Sequence, residues 1–69
     1  MNLLQQAFTV EVDFKQLIPS ITEYNGNTII QYDMGDNHIS FELTDEELKD
    51  TMTYTVIRNR VKHWVLSDD

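Results

Sequence analysis

Two histidines, a loop of oxygen-bearing side chains, a few cations around a tryptophan and a surplus of carboxylates are the chemical resources of this 69-residue chain. His38 falls on the outward side of a predicted strand and His63 late in a predicted helix. Neither has a serine or carboxylate beside it in a recognisable nucleophile motif. Chains of this size rarely enclose a water-excluding pocket, so the sequence points away from an enzyme. Asp33-Met34-Gly35-Asp36-Asn37-His38 gathers potential ligands. It lacks the spacing of a calcium-binding loop and its distal bidentate glutamate, and its Gly, Asp and Asn read as turn formers. With no cysteine, thiolate metal centres are excluded. No metal, cofactor or catalytic residue is expected.

The basic cluster is Arg58-Asn59-Arg60-Val61-Lys62-His63-Trp64, which in isolation resembles a recognition helix. Residues 58–69 carry only +1, however, and the remainder carries −8. Phosphate contacts need an excess of Lys and Arg, so direct nucleic-acid binding is not expected. These cations read better as partners of acidic neighbours and of a helix C-terminus. The whole chain stands at −7, with twelve Asp and Glu against five Lys and Arg. An anionic membrane surface would repel it, whereas a basic protein would be steered toward it. Solubility alone is the plainer reason for such a charge.

The elements that must carry these groups are legible in part. Residues 1–69 form one domain, and so short a chain buries only roughly 60% of the surface exposed when unfolded. The first residues lack a signal peptide's charged start and apolar run. No stretch approaches the ~20 apolar residues that cross a bilayer. A soluble protein of the cytoplasm is expected. Phe8-Thr9-Val10-Glu11-Val12-Asp13-Phe14 alternates strictly, which predicts a strand with Phe8, Val10, Val12 and Phe14 inward. Lys15–Ile18 reads as one helical turn limited by Pro19, and Asn25-Gly26 as a tight turn. Thr28–Met34 and His38–Leu43 also alternate and are joined by Gly35-Asp36-Asn37, a β-hairpin.

Thr44-Asp45-Glu46-Glu47 carries a capping box and first-turn acids, predicting a helix from residue 45 to about Val65. Residues 51–57 are β-branched and alternating, so a short helix followed by a strand is the rival reading. The helix would bear two apolar faces, one of Leu48, Met52, Val56 and Leu66, the other of Tyr54, Ile57, Val61, Trp64 and Val65. A monomer needs only one such face. The second set is therefore expected to form the interface of a homodimer or to anchor a partner. The expected fold is α+β, a three-stranded mainly antiparallel sheet with one C-terminal helix across it.

On that sheet, Glu11, Asp13, Asp33 and Glu42 point away from the core, and Asp36, Asp45, Glu46, Glu47 and Asp50 extend the anionic run. Carboxylates two residues apart on a strand lie about 6.6–6.8 Å apart, close to every second phosphate of a DNA strand. The chain thereby resembles the small acidic proteins that bacteriophages make early to disable host machinery, DNA mimics such as inhibitors of the nucleoid protein HU. The resemblance lies in size, charge and absent cysteine. It implies a homodimer, in the host cytoplasm, whose acidic surface blocks the DNA-binding face of a basic host protein. Inhibition of a host enzyme through the apolar helix face, or regulation of DNA through Arg58, Arg60 and Lys62, are the alternatives.

Overall fold

The alternation of Thr28–Met34 makes it the central strand of a three-stranded antiparallel sheet in the structure, a computed structural model that describes residues 2–67. Eight elements follow along the chain: α1 (Leu3–Phe8), β1 (Val10–Val12), β2 (Lys15–Leu17), β3 (Ser20–Tyr24), β4 (Asn27–Met34), β5 (Asn37–Leu43), α2 (Asp45–Lys49) and α3 (Thr51–Ser67). The larger sheet has the order β3-β4-β5, and β1 and β2 form a separate two-stranded ribbon. The architecture is α+β, with the C-terminal helix packed on the core.

The β4–β5 hairpin forms as its pattern predicts, in a register from Thr28↔Leu43 to Met34↔Asn37. Gly35 opens its two-residue loop at φ +70°, the conformation a type II′ turn requires at that position. Asn25 and Gly26 both adopt positive φ between β3 and β4, a type I′ turn. Thr28, Ile30 and Tyr32 face the core, while Ile29, Gln31 and Asp33 face the other way.

The N-terminal third departs from expectation. Only Val10–Val12 of the predicted 8–14 strand pairs as a strand, because Asp13 and Phe14 take φ of +51° and +64° and reverse the chain. Lys15–Leu17, expected as a helical turn, returns as β2 and pairs Val12↔Lys15 and Val10↔Leu17. Val10 and Val12 are buried as predicted, but Phe14 is fully exposed at the turn. Phe8 is buried at the end of α1 rather than on a strand. Residues 20–24 supply the sheet's third strand instead. The helix α1 was not anticipated, although its cap was written in the sequence. Asn2 accepts the Gln5 N–H at 2.8 Å, and the Gln5 side chain accepts the Asn2 N–H in return.

Residues 51–57 are helical, so the rival strand does not form. The predicted helix is broken once, at Asp50, whose extended backbone ends α2. The Asp50 carboxylate then accepts the Met52 N–H at 2.9 Å and starts α3. Thr44 and Glu47 form the expected reciprocal cap of α2. The core comprises Phe8, Val10, Val12, Ile30, Tyr32, Leu43, Ile57 and Val61. Phe8 stacks on Tyr54 with ring centroids 4.5 Å apart, and Tyr32 meets Phe41 edge-on at 6.4 Å. Such aromatic pairs add on the order of 1 kcal/mol beyond burial.

Candidate functional site

All nine acids singled out by the sequence are exposed, but they do not form one ladder. Asp33 and Glu42 share the open face of the larger sheet, where Asp33 opposes His38 and Glu42 opposes Ile29. Those two positions lie four residue steps apart along the strands, roughly 13 Å. Gln31 and Ser40 fill the row between them, so the face is polar rather than uniformly anionic. Glu11 belongs to the other sheet and Asp13 to the turn that joins its two strands, which corrects the expectation that they continue the same surface. The reason is the reversal at Asp13-Phe14, which cuts the predicted strand in half.

The structure instead groups the carboxylates at the two ends of the β4–β5 hairpin. At one end, Asp13 and Asp33 line the same cleft, of about 530 Å³, and Asp36 stands in the adjoining loop. Val12, Leu17, Met34 and Leu66 give that cleft apolar walls, and Lys15 also lines it. At the other end, Glu42 is the last residue but one of β5, Asp45, Glu46 and Glu47 occupy the first turn of α2, and Asp50 follows it. Several of these groups already hold uncharged partners. Glu42 accepts from the Asn27 side chain at 2.7 Å, Asp33 from Gln31 at 3.1 Å, and Glu47 from the Thr44 N–H at 2.9 Å. Such bonds orient carboxylates without neutralising them.

The two faces of the C-terminal helix are real, and their roles are the reverse of those expected. Ile57 and Val61, placed by the sequence at an interface, are buried in the chain's own core. Tyr54, Trp64 and Val65 are half-buried and pack against it. Met52, Val56 and Leu66, expected to rest on the sheet, are exposed, at 64%, 48% and 57%. Leu48 alone of that set packs on the core. Periodicity detects two stripes but carries no sign saying which one meets the sheet.

The basic cluster is divided as well. Arg58 turns inward and donates to the Ala7 carbonyl at 2.9 Å, tying α3 to α1. Arg60 and Lys62 remain exposed. A recognition helix built on all three cations is thereby left with two. Both histidines are exposed, and no cluster of three or more potential metal ligands occurs among the described residues. No helix of the described residues is long and apolar enough to cross a membrane.

Among the described residues, the one strongly shifted titratable group is internal. Burial pushes the Tyr32 phenol up to about 12, with the charge of Arg58 pulling it partly back. Its hydroxyl donates to the Phe8 carbonyl, so it serves the fold rather than an exposed site. Compared with family profiles, curated proteins and solved structures, the chain matches none.

Proposed function

We propose that this protein binds a basic, nucleic-acid-binding protein through its carboxylates and competes with the nucleic acid for that surface. The observation that carries this reading is the exposure of all nine acids, eight of them grouped toward the two ends of the β4–β5 hairpin. An antiparallel strand advances about 3.4 Å per residue, and a DNA strand carries one phosphate per about 3.4 Å. Asp33 and Glu42 are therefore spaced like phosphates four steps apart along a strand. The flanking acids on the β4–β5 loop and on α2 enlarge each pole. A net charge of −7 adds long-range attraction to a basic partner. The mechanism is competition: the carboxylates supply the countercharge that phosphates otherwise supply. A nucleoid-associated protein of a host bacterium is the kind of partner that fits.

The test is capture of basic proteins from a bacterial lysate on the tagged chain, with washes at low and then high salt. A nucleic-acid-binding protein that elutes with salt and is displaced by added duplex DNA supports the reading. Reversal of charge at Asp33, Glu42 and Glu46 to Lys should weaken that capture by tenfold or more. Capture that survives both high salt and this triple substitution would sink it.

A further inference from the structure

The exposed apolar face of α3 borders a groove of about 400 Å³ between this helix and β5, an edge strand of the sheet. Met52, Val56 and Arg60 lie along it at helical spacing of four residues, and Phe41 forms its floor from the strand. Glu47 and Asp50 also line it, ahead of Met52. The patch therefore carries acid at one end, apolar side chains in the middle and a cation at the other end. A two-fold interface needs a surface of that kind, because the axis brings each end of the patch against the opposite end of its copy. An unrelated partner would require no such internal match.

We propose that α3 packs antiparallel against α3 of a second copy, crossing at Val56. At about 1.5 Å per residue, Met52 and Arg60 lie roughly 6 Å on either side of that crossing. The aliphatic stem of each copy's Arg60 then covers the other's Met52, and its guanidinium reaches the other's Asp50 and Glu47. Val56 meets Val56 at the axis. The interface buries the apolar face that a monomer leaves in water and enlarges a core limited by 69 residues. It leaves Asp13, Asp33 and Asp36, at the other end of the hairpin, free for a different partner.

Sedimentation of the purified full chain over the micromolar range tests this without any second protein. The wild type should show a concentration-dependent dimer, and Val56→Glu should loosen it tenfold or more with unchanged circular dichroism. Arg60→Glu and Asp50→Lys should each be monomeric, since each copy then faces its own charge. Mixed together they should recover a dimer, because acid meets cation again at both contacts. Asp50 also caps α3 and Glu47 caps α2, so the mixture uses whichever of Asp50→Lys and Glu47→Lys keeps the wild-type circular dichroism. Val56→Glu and Arg60→Glu, which remove no cap, decide the matter if neither does. A wild type that stays monomeric throughout overturns the proposal. So does a dimer indifferent to Val56→Glu and Arg60→Glu, or a mixture that stays monomeric.

Discussion

The chain reverses twice through the same backbone geometry, once at Asn25-Gly26 and once at Asp13-Phe14, and only the first reversal has a suited residue at both positions. Both turns hold two consecutive residues at positive φ, the type I′ arrangement whose twist matches that of the flanking strands. Asn and Gly enter that region at little cost. Phe14 does so at φ +64° while its ring stands wholly in water. A bulky residue there costs on the order of 1–2 kcal/mol. The first turn closes five paired residues of β3 and β4, whereas the second closes only three. The short ribbon survives because its other residues are tied to the common core. Val10 and Val12 are buried, Phe8 stacks on Tyr54, and the Phe8 and Ala7 carbonyls accept bonds from Tyr32 and Arg58.

The largest break in this balance should come from Phe8. Phe8→Ala removes a fully buried ring and its stack on Tyr54, at a cost of about 3–5 kcal/mol. Urea unfolding should show an unfolding free energy lowered by that amount, or no folded baseline at all.

Raising the pH attacks the same junction more gently. An unfolded tyrosine releases its proton near pH 10, while folded Tyr32 holds it to about 12. The folded state thus binds more protons in that window, and stability falls as pH rises through it. The contribution is complete below pH 10 and lost between about 10 and 12, roughly 2–3 kcal/mol in all. Tyr32→Phe should flatten that part of a stability-against-pH curve, from a starting stability lower by about 1 kcal/mol for the lost hydrogen bond.

The smallest effects compare the turns directly, and they should differ in sign. Phe14→Gly relieves the left-handed strain and should stabilise by up to about 1 kcal/mol. Gly26→Ala meets no atom within 4 Å, so its cost is the backbone's own, about 1 kcal/mol of destabilisation. Thermal melts of the two variants beside the wild type decide it. Equal shifts of the same sign would show that the two turns are not equivalent.

Legibility followed the strength of local signals. Alternation and the Gly35 and Asn25-Gly26 turns were enough for the central hairpin, and the Thr44–Glu47 box for the start of α2. The break at Asp50 was not, because it depends on one side chain capping the next helix rather than on a helix breaker. Among the acids, exposure was readable one residue at a time. Their grouping was not, since Asp13 and Asp33 meet across a cleft only after the ribbon folds back.

By itself the sequence determined the net charge, the β4–β5 hairpin, helix with a capped start from residue 45 to about Val65 and the presence of two apolar stripes along it. These depend on residue type and spacing within a few positions. Tertiary structure decided which stripe is core, which strand completes the sheet and where the carboxylates gather. Strict alternation at 8–14 suits one long strand, yet it is also met by a helix end, a short strand and a turn. A helical stripe of Met52 and Val56 is as apolar as one of Ile57 and Val61. Only the volume enclosed with Phe8, Tyr32 and Leu43 distinguishes such choices, and that volume exists only when distant segments pack together.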